Sequence, residues 1–412
     1  MDKTDFTDKK GGLHHAWLIL AACFMLNGAL MGVLDNTYGL FYSPVCTEFG
    51  WNLSSFTAHR ILYGLTAAVS LIFADKVYRR FPMKAVISVL LTGYAVSAAA
   101  FGLQNSLAGF YIMSVIQGAC GGLILYLPVP VLLNNWFIKK KGLALGLSAS
   151  ATGLFGAVVN PILNDIIMRA GWRIGYFARG AMALVIGLPL VLLFVRETPE
   201  SCGLKPYGAG DDPAESSESG PAAKTQIYEY RLYRYILVIA IAMTANFAVA
   251  YVQHLSNFAI VSGLGAETGA TFAAFAMVGN MVGKWLVGFS LDRFGVKKTM
   301  ICVFVLIFTA MAVLSFGTGA AFFLYPASLL LGLSTTFTSV FVPAAINSFA
   351  GSERFGKIMS RASTGMMVAQ AFSPTIVGLI YDGSGSYSPV FIVGAAVMAL
   401  SAGFAAILFS GR

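Results

Sequence analysis

Long apolar runs alternate with short polar gaps along this chain, and twelve of the runs are long enough to cross a bilayer. A hydrocarbon core about 30 Å thick needs about 20 helical residues. The runs lie roughly at residues 16–42, 54–74, 84–103, 107–137, 143–168, 174–195, 235–262, 268–291, 299–317, 320–349, 355–381 and 389–409. They show no two-residue alternation of the outer-membrane barrel kind, and isolated strands cannot satisfy their backbone in lipid. The pattern predicts an all-α membrane protein of twelve transmembrane helices.

Composition and charge sharpen that picture. Of the 412 residues 57% are hydrophobic and only 11% charged, against roughly a quarter charged in soluble domains. The net charge of +9 is no nucleic-acid footprint, because the basic residues are dispersed over the gaps. Lys76, Arg79 and Arg80, Lys139 to Lys141, Arg293, Lys297 and Lys298, and Arg354 with Lys357 all fall on one side. The other side has Arg169 and Arg173, with Arg60 and Arg179 placed near span ends. The positive-inside rule then puts both termini in the cytoplasm. Five scattered cysteines without a CxxC pair speak against disulfide or metal chemistry. There is no nucleotide loop, Ser-His-Asp set or pair of catalytic carboxylates, so neither an enzyme nor a cofactor is expected, protons as a coupling ion aside.

The domain plan follows from one polar interruption. Residues 1–15 read as a cytoplasmic tail, 16–196 and 235–412 as two six-helix bundles. The Pro-, Ser- and acid-rich stretch 197–234 between them reads as a disordered or partly helical cytoplasmic linker. The halves echo each other at nearly constant offset: 217 residues from Asp75 to Asp292, 214 from Gly142 to Gly356 and 213 from Pro161 to Pro374. Such offsets indicate parallel repeats about an axis along the membrane normal.

The stretch Gly288-x-x-x-Asp292-Arg293-x-Gly295-x-Lys297-Lys298 resembles the loop motif of the major facilitator superfamily. Its N-half copy keeps Asp75 but has Leu71 and Tyr78 where the motif has glycines. Gly118-x-x-x-Gly122-x-x-x-Tyr126, then Trp136-Phe137 and Lys140-Lys141-Gly142-x-Ala144-x-Gly146, are similar to the monocarboxylate transporter and oxalate–formate antiporter group. So are Gly153-x-x-Gly156, the tag Thr198-Pro199-Glu200-x-x-Gly203-Leu204-x-Pro206 and the closing Gly378-Leu-Ile-Tyr-Asp382-x-x-Gly385. The resemblance implies a secondary transporter working by alternating access in a cell membrane, the inner membrane of a prokaryote, with a monomer as functional unit.

Ionisable and polar residues inside spans supply candidate chemistry, since a charge at bilayer depth is costly and usually functional. Lys284 lies eight residues before Asp292, with Asn280 one turn earlier. Together they suit a carboxylate; in the resembling group this helix carries a basic substrate-binding residue, usually Arg. Asp35 falls on one expected stripe with Asn27, Met31 and Tyr38, and beside Lys284 it is the candidate proton-coupling site. Tyr126, Tyr38, Thr335, His254, Asn257 and Gln370 are the further candidates for the substrate site. Span eleven holds Met367 and Gln370 where dicarboxylate carriers of the group use a second cation, which favours a monocarboxylate or a zwitterion. Asp75, Asp292, Arg293 and Arg361 are the expected gating charges. The readings are thus a proton-coupled symporter of a lactate-like monocarboxylate, an exchanger of organic anions or carrier of a zwitterion, and, from another class, a non-transporting membrane sensor. The partners expected are a small carboxylate, protons and the lipid bilayer, with no nucleic acid.

Overall fold

The computed structural model describes residues 14–209, 232–316 and 321–410. Helices account for the regular structure, and no strand forms among these residues. By length and composition alone nine described helices can cross a membrane. The other spans are present in interrupted form. The run Gly142–Phe194 carries the fifth and sixth spans, divided at Gly171, whose φ of 85° needs no side chain. The second span is built from Leu53–Thr57 and His59–Ile72, and the tenth enters as the apolar helix Phe322–Thr335. Twelve spans in two bundles result.

The motif glycine Gly295, with φ 79°, turns the chain between the eighth and ninth spans. Tyr78 at the equivalent N-half position cannot do this readily. There the helix Ala74–Arg80 continues past it and Phe81-Pro82 makes the turn. The degenerate motif copy therefore has a local backbone cause.

Three spans that face the centre are not regular helices. The first runs as α-helix His15–Asn27, π-helix Gly28–Asp35, 3-10 helix Tyr38–Phe41 and α-helix Tyr42–Phe49. The fourth stops at Ile124 and resumes at Pro128, which leaves Tyr126 in the break. The tenth passes through 3-10 and π turns at Leu333–Thr335 and Phe337–Phe341. Broken backbone at membrane depth is tolerated where it is buried in protein or lines a cavity. The break in the first span corrects the single stripe expected there. Asn27 and Asn36 turn to the fifth span, donating to Ser148 Oγ (2.9 Å) and the Thr152 carbonyl (3.1 Å). Asp35 and Tyr38 turn instead to the second and fourth.

Small residues set how closely helices approach. A Cβ on Gly118 would run into the Tyr63 carbonyl, and one on Gly332 into that of Ala276. These two contacts, between spans four and two and between spans ten and eight, are 214 and 213 residues apart. The repeat inferred from motifs is thus also a repeat of packing. Gly153 and Gly156 lie against Met277 and Met281 of the other half, with Gly153's missing Cβ 2.7 Å from the Met277 carbonyl.

The stretch after the sixth span begins as an ordered segment. Residues 197–209 are ordered against the N-half, with a 3-10 turn at Pro199–Cys202. Tyr207 donates its N–H to the Trp136 carbonyl, accepts from Ile138 and Lys139, and packs its ring on Trp17 and Phe137. Trp136 Nε1 in turn donates to the Arg196 carbonyl at 2.9 Å. Backbone pairing and aromatic burial together outweigh the turn-rich composition. The acidic run 211–219 lies outside the described residues.

Candidate functional site

A small, partly open cleft, with room for about one water molecule, lies between the halves. Arg60, Tyr63 and Gly64 of the second span, Tyr126 of the fourth, and Met367 and Gln370 of the eleventh line it. Residues 60, 63, 64 and 67 follow i, i+3, i+4, i+7, one helical face, so a single side of the second span supplies the N-half wall.

Arg60 is the charged residue of that wall, and it is only 2% exposed. Its Nη2 donates to Asp35 Oδ1 at 2.9 Å, and its guanidinium lies 4.1 Å from the Tyr38 ring centroid and 4.3 Å from that of Tyr63. Its Nε and Nη1 have no partner among the described residues. On Tyr38 a second buried guanidinium, Arg179, sits 4.0 Å from the ring centroid and donates to the Leu34 carbonyl. That carbonyl stands at the end of the π-helix, where the regular ladder breaks off. The Tyr38 hydroxyl donates to Gln117. Two cations, one carboxylate and one ring thus form a buried cluster beside the cavity.

Several expectations change here. Asp35 pairs with Arg60, not with Lys284. Lys284 reaches across to the other half, donating to Thr152 Oγ1 at 3.2 Å and the Ala149 carbonyl at 3.3 Å. Asn280 is buried, and its Oδ1 has no partner among the described residues. Tyr38 stands behind Arg60, fully buried, whereas Tyr126 and Gln370 do line the cavity. The Thr335 hydroxyl donates to the Gly332 carbonyl one turn back. His254 has both ring nitrogens engaged, with the Tyr387 hydroxyl at 3.1 Å and the Pro374 carbonyl at 3.2 Å, and Asn257 donates to the same hydroxyl at 2.7 Å. That triad ties the seventh, eleventh and twelfth spans of one half together.

Of the gating residues, Arg361 is exposed and donates to the Tyr235 hydroxyl at 2.6 Å within its own half. Arg293 is exposed beside the Phe294 ring. The side chains of Asp75 and Asp292 lie outside the described residues.

Arg60 and Arg179 are the residues that reading the sequence misplaced. Both count as near span ends by position, yet both are buried. The usable signal was the small and aromatic face Tyr63, Gly64 and Ala67 that Arg60 shares. No signal marked Arg179, whose partner is a backbone carbonyl exposed only by the irregular first span.

Besides the seam between the fifth and eighth spans, a further group of contacts between the halves lies at the end of the molecule away from the ordered tag. Asp382, at the end of the eleventh span, accepts from Leu53 N (3.2 Å) and Ser54 N (2.8 Å) at the start of the second. The Tyr42 hydroxyl donates to Gln253 Oε1 at 3.3 Å, and Gly39 packs directly on the Gln253 backbone.

The sequence model of the Major Facilitator Superfamily matches residues 16–289 and 271–412. Monocarboxylate transporter 11 of Mus musculus is 23% identical over 92% of this chain and 83% of its own length. The transporter ESBP6 of Saccharomyces cerevisiae is 24% identical over 68% of this chain, and the match spans only 42% of that protein. The oxalate:formate antiporter of Oxalobacter formigenes is 24% identical over 47% of this chain and 46% of its own. Among solved structures the nucleoside transporter NupG superposes with a TM-score of 0.68 at 14% identity, covering 97% of this chain and 100% of that one; at this identity the likeness concerns the fold. With twelve spans in two repeated bundles around a central cavity, the chain belongs to the Major Facilitator Superfamily, as a multi-pass membrane transporter similar to the monocarboxylate transporters and the oxalate:formate antiporter.

Proposed function

We propose that this protein is a secondary active transporter of a small organic anion, a proton-coupled symporter of a monocarboxylate working by alternating access. One observation carries the reading: the cavity is walled by both halves, and the charged residue on its wall is a buried guanidinium tied to a carboxylate. A cation in a low-dielectric wall favours an anionic occupant. Asp35 beside it gives a place for a proton. When a substrate carboxylate competes for Arg60, one proton taken up by Asp35 keeps the charge of the site constant. The similarity to a monocarboxylate transporter over nearly the whole chain supports the same substrate class.

With the basic gaps toward the cytoplasm, both termini and the tag lie inside, and the end held by Asp382 faces outward. The protein then sits in a cell membrane, the inner membrane of a prokaryote, with one chain as the transport unit.

Proteoliposomes test the coupling directly. An inward-acid gradient is expected to drive uptake of L-lactate, pyruvate or benzoate above its equilibrium level in the absence of internal anion. Uptake that needs an internal organic anion and ignores the gradient makes the protein an exchanger, a reading that the similarity to the oxalate:formate antiporter keeps alive.

A further inference from the structure

We propose that His14 is a pH-sensitive cap, which when neutral fastens the start of the first span to the ordered tag and in acid lets the tag go. The contact itself does not depend on which solute is carried.

The first-span helix His15–Asn27 opens with N–H groups that no helical carbonyl can reach. His14 Nδ1 accepts from one of them, Ala16 N, at 3.2 Å. An acceptor at Nδ1 needs a neutral imidazole whose proton sits on Nε2. The same ring stands edge-on to Tyr207, with 5.5 Å between centroids and 72° between planes. Tyr207 is the residue that fixes the tag. Its ring meets Trp17 and Phe137, and its backbone pairs with Trp136, Ile138 and Lys139. Gly208 follows at φ 87° and lies directly on Lys139. One imidazole thus ties the first span to the tag, and through Tyr207 to the loop between the fourth and fifth spans.

Protonation turns this contact against itself. An imidazolium has an N–H at both ring nitrogens, so Nδ1 then faces the Ala16 N–H donor to donor. It also puts a positive charge on the positive end of the helix dipole. On the described elements that meet here, the ionisable groups are Tyr207 and Lys205 of the tag, Lys139 to Lys141 of the loop, Arg196 and Glu197 after the sixth span, and His15. That set is mainly cationic and offers an imidazolium little compensation. An imidazole changes its charge between about pH 8 and 5. The cap is therefore present above the titration of His14 and is lost as the pH falls through it.

His15 answers acid in the opposite way. Its Nε2 donates to the Phe194 carbonyl at 3.1 Å, at the end of the sixth span, and its ring packs on Trp136 at 5.0 Å. A carbonyl only accepts, so Nε2 carries its proton in either charge state. A second proton at Nδ1 leaves that bond in place and lies at a helix C-terminus, where positive charge is favoured. Two adjacent histidines thus act as sensor and anchor, and acid loosens the tag without detaching the span.

The span so fastened is the one that carries Asp35. With its tag end toward the cytoplasm, protons delivered with a substrate acidify the side on which the cap sits. This consequence rests on the symport reading above; the titrating contact does not.

Cys202 is exposed in the 3-10 turn of the tag and takes a spin label once the other four cysteines are replaced by alanine. Electron resonance spectra of that protein in nanodiscs are expected to pass from an immobile to a mobile component between pH 8 and 5. His14→Asn, whose amide oxygen caps a helix at any pH, should stay immobile down to pH 5. His14→Ala should be mobile already at pH 8, and His15→Gln should keep the response of the parent. Hydrogen exchange of the backbone at 204–209, corrected for its intrinsic pH dependence, reads the same contact without a label. His14→Ala is expected to speed it about fivefold at pH 8, the scale of a lost N-cap. A parent protein with the same spectra and exchange at pH 8 and 5, or a His14→Asn protein that loosens as the parent does, overturns the proposal. So does a response abolished by His15→Gln and kept by His14→Asn. None of these measurements involves transport, so a protein that proves to be an exchanger leaves them unchanged.

Discussion

The Tyr38 ring with a guanidinium on Arg60 and another on Arg179 concentrates more charge than a membrane interior usually holds. Cation–π contact contributes about 2 kcal/mol at a desolvated site, and hydrogen bonds supply the rest of the compensation. Arg179 has a task of its own: it satisfies the Leu34 carbonyl that the irregular first span leaves open. Its replacement by methionine, of similar reach but without donors, strands that carbonyl. The cost is about 1–3 kcal/mol, and because Leu34 precedes Asp35 the ion pair to Arg60 loosens too. Arg179→Met is therefore expected to lower the midpoint of thermal unfolding followed by tryptophan fluorescence, and a variant melting with wild type removes this role. Reading the sequence found Asp35 as a charge out of place but gave it the wrong partner. The distance along a span tells how deep a residue sits; it does not tell which neighbouring helix it faces, and the π-helix at Gly28–Asp35 rotates that face.

At the scale of helices, far more was legible. Apolar length located the spans within a few residues, since hydrocarbon thickness leaves little freedom. The motif offsets predicted the repeat that recurs as Gly118 on Tyr63 and Gly332 on Ala276. Interruptions within spans were not legible, because the glycines, prolines and small residues that permit them also serve simple packing. Nor was the ordering of residues 197–209, where Tyr207 and Trp136 supply what the turn-rich composition hides. The packing glycines make a graded prediction. Gly332→Ala puts a methyl into the Ala276 backbone and forces the eighth and tenth spans apart. Gly146→Ala meets nothing within 4 Å and gains helix propensity. The first is expected to lower the yield of monodisperse protein and its melting temperature, the second to leave both unchanged or slightly raised. Equal melting of the two variants would show that the close approach of spans eight and ten adds nothing to stability.

For the whole molecule one group of contacts joins the halves at the end away from the tag. Asp382 takes two backbone N–H groups of the second span, Gly39 lies on Gln253, and Gly378 brings its open side within 3.0 Å of Ser54. The Asp382 contacts are charge-assisted, the stronger kind of hydrogen bond, and they join the end of the eleventh span to the start of the second. Opening at this end has to break both at once, so Asp382 biases the protein toward the state in which the end is sealed. An amide in its place can still accept through one oxygen, whereas alanine accepts nothing. Asp382→Asn is then expected to shift the population partly and Asp382→Ala further. Spin labels at Asn52 and Gly383, in a background without the five native cysteines, report the separation of the two ends by pulsed electron resonance. A longer-distance component that grows from wild type through asparagine to alanine, and shrinks when labels are moved to the tag end, marks Asp382 as the latch. If the distribution is the same in all three proteins, the end is held by the glycine contacts and the Tyr42–Gln253 hydrogen bond, and Gly39→Ala becomes the next substitution to test.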